Sequence, residues 1–124
     1  MKNKNLKKIG LHTYIDYSLG LLLMISPFVF DMKANAIESK IIFTIGLAVV
    51  LLNSITMHRL GLAKIVSKKV HLKIDLFLGW LLVVSPFLFG FFATTILPHL
   101  LLGCALLINA FYVNLSSKKI RIFE

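Results

Sequence analysis

A chain of 124 residues that is 58% hydrophobic and 15% charged, with a mean hydropathy of +0.88, has too little polar surface for a water-soluble domain of its size. Its formal charge of +9 does not point to nucleic acid, because the bases fall in short clusters between long apolar runs rather than along one helix face. The single cysteine, Cys104, lies inside an apolar run; it offers no disulfide framework and no cysteine-based metal spacing, and reads as a small core or lipid-facing residue.

Residues 1–11 form a basic segment carrying Lys2, Lys4, Lys7 and Lys8. The first apolar run, 19–30, is short, and reaches spanning length only if Ile15, Asp16, Tyr17 and Ser18 join its helix. A polar stretch, 31–40, leads to the second run, 41–57, interrupted by Thr44, Asn53, Ser54 and Thr56. A basic connector over 58–70 precedes the third run, 74–92, whose one charge is Asp75. A turn with Thr94, Thr95 and Pro98 leads into the fourth run, 96–115, and residues 116–124 make a basic tail. A bilayer core of about 30 Å takes roughly twenty apolar residues in a helix. Buried in lipid, the backbone must satisfy its own hydrogen bonds, and nothing here alternates with the period of a barrel strand. The expected fold is an all-α membrane protein of four transmembrane helices.

The chain states one segment twice. HTYIDYSLGLLLMISPFVF at 12–30 returns as HLKIDLFLGWLLVVSPFLF at 71–89, without a gap and with 11 of 19 positions identical. This divides the chain into repeat 1 (12–57) and repeat 2 (71–115), two helices each. An even number of helices per unit gives both copies one orientation, with a pseudo-two-fold axis along the membrane normal. The first segment imitates a signal peptide, with Ala34-Asn35-Ala36 as a cleavage site, but its second copy lies deep in the chain, where no signal peptide sits. Twelve of the 14 Lys and Arg lie in the N-terminal segment, the connector region and the tail, so the positive-inside bias puts both termini in the cytoplasm of a multi-pass plasma-membrane protein. The second helices repeat less well: Gly46 matches Gly103 only if the second loop is two residues shorter, and Asn53 and Asn109 then miss each other by one position.

On a helical wheel, ten identical positions share an arc of roughly 160°: His12, Ile15, Asp16, Leu19, Gly20, Leu22, Leu23, Ser26, Pro27 and Phe30. That face is expected to look into the bundle and the differing face, with Leu21/Trp80 and Ser18/Phe77, at lipid. His12 and Asp16, like His71 and Asp75, are four apart and can pair on one helix face. Two readings compete for them. One is a helix-end lock or cap, favoured by the helix dipole, with Thr13-x-x-Asp16 as a capping box in the first copy only. The other is a proton or ion site. Ser26-Pro27 and Ser85-Pro86 predict helix kinks, the hydroxyl re-satisfying a carbonyl freed by the proline. Gly20 and Gly79 permit close helix approach. His58 and His99 have no repeat counterpart and read as interfacial loop residues. No phosphate loop, nucleophile elbow or HExxH motif is present.

The twice-stated His-x3-Asp-x3-Gly-x5-Ser-Pro-Phe pattern resembles the SPW-repeat family of small membrane proteins, over 12–115 as two copies of a two-helix unit. Phenylalanine replaces the name-giving tryptophan in both copies, at Phe28 and Phe87, so no role that depends on an indole N–H carries over. The resemblance implies an integral membrane repeat protein and no particular activity.

The expected function is a structural or interaction role in the membrane, without enzymatic activity, cofactor or metal. Its expected partners are the lipid bilayer and a second copy or another membrane protein, not nucleic acid. A small ion or proton pathway through the paired His/Asp residues is the alternative. Haem ligation by His12 and His71 is a remote one.

Overall fold

The computed structural model describes residues 2–56 and 62–123, with side chains described over 11–56 and 62–112. Four helices follow one another: α1 (Lys2–Val29), α2 (Ile37–Ser54), α3 (Lys68–Leu88) and α4 (Phe92–Phe123). The windows Ile37–Ser54, Lys68–Leu88 and Phe92–Tyr112 are long and apolar enough to cross a membrane. The shorter apolar run falls in α1, which gains length because the helix continues back through Asp16 and the basic segment to Lys2. α4 likewise runs on through the expected tail to Phe123. His58, expected in an interfacial loop, lies outside the described residues.

α1 packs against α2 and α3 against α4, and the two hairpins join chiefly through α1 with α4 and α2 with α3. Lipid supplies no hydrophobic drive for helix association, so close contact has to come from small residues and shape. Gly20 faces Gly46, and Gly79 faces Gly103: a Cβ on Gly46 would lie 2.8 Å from the Gly20 carbonyl oxygen, and one on Gly103 3.3 Å from that of Gly79. The Gly46/Gly103 match, which shortens the second loop by two residues, is thus the one the packing uses. Around these crossings Leu19, Leu23, Ile42, Ile45, Val49, Leu78, Leu82 and Leu106 form one apolar core.

Burial follows the repeat almost letter for letter along α1 and α3. His12, Asp16, Leu19, Gly20, Leu23, Ser26 and Pro27 are buried, as are their counterparts from His71 to Pro86, while Tyr14, Leu21, Phe28 and Lys73, Trp80, Phe87 face out. The expected inward face needs one correction. Ile15, Leu22 and Phe30 are exposed, whereas Thr13 and Leu72, which differ between copies, are buried. The buried arc is rotated towards Thr13, leaving Ile15 and Leu22 just past its far edge, and Phe30 follows the last helical residue.

The Ser-Pro-Phe motif sits where the helix ends. Pro27 and Pro86 each lie two residues before the last residue of their helix. Asp31 (φ 50°) and Gly90 (φ 74°), at matched positions, take the left-handed conformation. Met32 N–H then donates to the Pro27 carbonyl (2.8 Å) and Phe91 N–H to that of Pro86 (3.0 Å), the six-to-one bond of a Schellman termination. The anticipated kink is therefore expressed as an ending, because the left-handed residue follows within one turn. Ser85 Oγ donates to the Leu82 carbonyl (2.8 Å), the group that Pro86 leaves without its helical N–H. In the first copy Ser26 Oγ reaches one residue further back, to the Leu22 carbonyl (2.6 Å).

An L-residue in this conformation costs about 1–2 kcal/mol relative to glycine. Asp31→Gly is accordingly expected to stabilise the protein by about 0.5–1 kcal/mol and Gly90→Asp to destabilise it by a similar amount, measured as unfolding in mixed micelles.

At the opposite end from these turns, the connector folds back over the last carbonyls of α2. Leu62 and Ala63 N–H donate to the Ser54 carbonyl, and Ile65 and Val66 N–H to that of Ile55, all within 2.9 Å. α3 then starts with Ser67 as its N-cap, its hydroxyl accepting from Val70 N–H at 3.4 Å.

Candidate functional site

The four candidate side chains meet. His12 and Asp16 from α1 and His71 and Asp75 from α3 lie together between the two repeats, 6%, 1%, 3% and 0% exposed. One ligand-type atom from each lies within 4.8 Å of the others. The i, i+4 pairing is present in the second copy, with His71 Nε2 2.9 Å from Asp75 Oδ2. The other close approaches cross between repeats: His71 Nε2 to Asp16 Oδ2 at 3.2 Å and His12 Nε2 to Asp75 Oδ2 at 3.7 Å. Asp75 offers the nearer oxygen, and the His71–Asp16 contact is aligned as a hydrogen bond. The two rings sit edge to face with centroids 5.8 Å apart.

This placement corrects the capping reading. Because α1 begins at Lys2, Thr13 and Asp16 lie mid-helix; α3 has no acid in its first turn, and Asp75 comes two turns after its cap. Neither carboxylate can serve the free N–H groups of a helix start, which belong to the first four residues.

Helices α2 and α4 hold the site from outside. Asn53, fully buried on α2, donates through Nδ2 to Asp16 Oδ2 (2.5 Å) and to the Val49 carbonyl (2.9 Å). Thr56 Oγ donates to the Leu52 carbonyl (2.5 Å), so its oxygen accepts from His71 Nδ1, 2.7 Å away. That bond puts a proton on Nδ1 and turns Nε2 towards the two carboxylates. Asn109 Nδ2 on α4 donates to the His12 backbone carbonyl at 3.5 Å. The one-residue slip between Asn53 and Asn109 thus has a structural result: one braces a carboxylate, the other the main chain of α1. By the Gly46/Gly103 offset Thr56 corresponds to Val113, which has no hydroxyl.

The remaining predicted residues stay apart from this centre. Gly20 and Gly79 mark the helix crossings, and Ser26, Pro27, Ser85 and Pro86 lie at the far ends of α1 and α3. His99, expected in an interfacial loop, is instead fully buried inside α4. Its Nδ1 lies 3.1 Å from the Thr95 carbonyl and its Nε2 3.1 Å from that of Glu38, which ties α4 to the start of α2. The backbone breaks from helical geometry at Thr95 (φ −139°, ψ 44°), and that break carries the ring inward.

Sequence reasoning passed over Asn53 and Thr56 as site residues. Their signal was polarity inside the second apolar run at the depth where an antiparallel hairpin places Asp16. His99 carried no such signal, since its inward turn depends on the break at Thr95.

Fold and site together define a class: a four-helix membrane bundle of two parallel two-helix repeats that meet at a buried His/Asp centre. The chain belongs to the SPW repeat family, whose SPW repeat domain matches residues 10–113. A search of the curated proteins and of the solved structures finds no match. The position that gives the motif its third letter faces outward in both copies, Phe28 being 80% and Phe87 59% exposed. Exchange of indole for phenyl there leaves the buried face untouched.

Proposed function

We propose that this protein is a structural or interaction component of the plasma membrane, not an enzyme, in which the His/Asp centre latches the two repeats. The carrying observation is that the centre is closed. It draws a side chain from every helix, and the next layer along the bundle is apolar, with Leu23, Leu82 and Val49 fully buried and Leu106 nearly so. Beyond that layer the buried hydroxyls of Ser26 and Ser85 bond carbonyls of their own helices. A proton or ion pathway needs polar groups in succession, and the helix of about 15 Å between Asp16 and Ser26 holds no buried polar side chain, Tyr17 being half-buried and Ser18 exposed. Haem ligation has less support still: both carboxylates occupy the space beside the histidine rings that a macrocycle would take.

The clustering of bases supports both termini in the cytoplasm. The outward faces, with Leu21, Phe77, Trp80, Leu101 and Ile108, suit lipid, a second copy or another membrane protein. Reconstitution into liposomes loaded with a pH-sensitive dye tests the reading. No proton or cation flux above protein-free vesicles is expected; flux that disappears on Asp16→Asn with Asp75→Asn would overturn it.

A further inference from the structure

We propose that His12, Asp16, His71 and Asp75 bind a single divalent transition-metal ion, with zinc the ion whose preferences they fit.

The first ground is unmet valence. Among the described residues, the buried side-chain atoms without a hydrogen-bond partner are His12 Nδ1 and Nε2, Asp16 Oδ1, Asn53 Oδ1, and Asp75 Oδ1 and Oδ2. All six belong to this one centre. Buried polar atoms are normally satisfied; here Asp75 Oδ2 and His12 Nε2 have only ion-pair contacts, while His12 Nδ1, Asp16 Oδ1 and Asp75 Oδ1 have no hydrogen bond, a concentration of unfilled acceptors that points to a further partner. Five of the six can only accept, or can act as metal ligands once deprotonated, which is the character of a cation site.

The second is geometry. Tetrahedral zinc with bonds of about 2.0–2.2 Å holds its ligand atoms roughly 3.4 Å apart. Ligand atoms already within 4.8 Å of one another need only a small contraction, achievable by side-chain rotation.

The third is the outer set of hydrogen bonds. Metal-bound histidine characteristically donates its other ring N–H to an oxygen that fixes the tautomer. His71 does so to Thr56, which is committed as an acceptor by its own bond to Leu52. Asn53 holds Asp16 through Oδ2, the oxygen that also meets His71, and Oδ1 has no hydrogen-bond partner. The fourth is charge: two carboxylates and one divalent cation sum to zero, which suits a site buried from solvent. Two imidazoles with two carboxylates favour zinc and neighbouring transition metals over magnesium or calcium, which take oxygen ligands.

Four protein ligands close a tetrahedral shell and leave no open position, so the ion serves as a structural clasp between α1 and α3. The proposal rests on the latch reading and names what fills the latch.

The test uses the full chain in detergent, stripped with chelator and titrated with Co²⁺ as a spectroscopic stand-in for zinc. Tetrahedral Co²⁺ ligand-field bands are expected, saturating at one ion per chain and abolished by excess Zn²⁺. Thr56→Val, which keeps every ligand, is expected to weaken binding by about 10–100-fold. His12→Gln with Asp75→Asn should remove the bands while circular dichroism still reports a helical bundle. A spectrum of six-coordinate Co²⁺ only, or equal binding by wild type and the doubly substituted protein, overturns the metal site. Either result leaves the latch standing if the metal-free protein still shows energetic coupling between His71 and Asp16; loss of that coupling would count against the latch itself.

Discussion

Asp16→Leu is expected to lower the unfolding free energy by about 3–5 kcal/mol, the range for removing one partner from a buried ionic set. Its loss strips His71 Nε2 of its aligned acceptor and Asn53 of its 2.5 Å bond, while Asp75 stays buried beside the two histidines. Replacing all four, as His12→Leu, Asp16→Leu, His71→Leu and Asp75→Leu, should recover most of that loss, because desolvation is no longer opposed by an incomplete set of contacts. Asn53 keeps its bond to the Val49 carbonyl in that protein. A reversible SDS titration of the three proteins gives the comparison. The fourfold variant falling well below Asp16→Leu would mean that the polar centre supplies net stability that apolar packing cannot replace.

The second large effect is steric. Gly46→Ala is expected to cost about 1–3 kcal/mol by overpacking, and Gly103→Ala clearly less. A Cβ on Gly46 would sit 2.7 Å from Leu23 Cβ, 2.8 Å from the Gly20 oxygen and 2.8 Å from Met24 N, of which two are backbone atoms. At Gly103 the nearest atom is Val83 Cγ2 at 2.7 Å, with backbone no closer than 3.1 Å. A valine methyl can rotate away; two main-chain atoms of a packed helix move only with the helix. The same titration ranks the pair, and equal losses would show that the two crossings have the same tolerance.

The fold was legible because lipid permits few solutions. Apolar runs of spanning length become helices, and an ungapped repeat makes the second hairpin a copy of the first. The buried face of α1 was legible for the same reason, since His12, Asp16, Leu19 and Gly20 recur at 59-residue spacing and all four are buried in both copies. What one helix wheel cannot carry is the relation between helices. It paired His12 with Asp16 and His71 with Asp75, whereas two of the three close contacts join different repeats. It also began α1 too late, whereas the helix starts at Lys2, which removes capping as an explanation for Asp16. Asn53 on α2, Thr56 just past its end and His99 on α4 act from the second helical segments, where the repeat is weak and identity between copies gives no guide.

The central claim is that one residue pair from each repeat converges on a single buried site. A double-mutant cycle across the repeats tests it most directly, with His71→Ala, Asp16→Ala and the two combined, unfolded in mixed micelles without metal. Residues in direct contact within one network couple by about 0.5–3 kcal/mol, and separated ones add within about 0.5 kcal/mol. Coupling of at least about 1 kcal/mol is the result predicted here; additivity would contradict a shared site and return each His/Asp pair to its own helix.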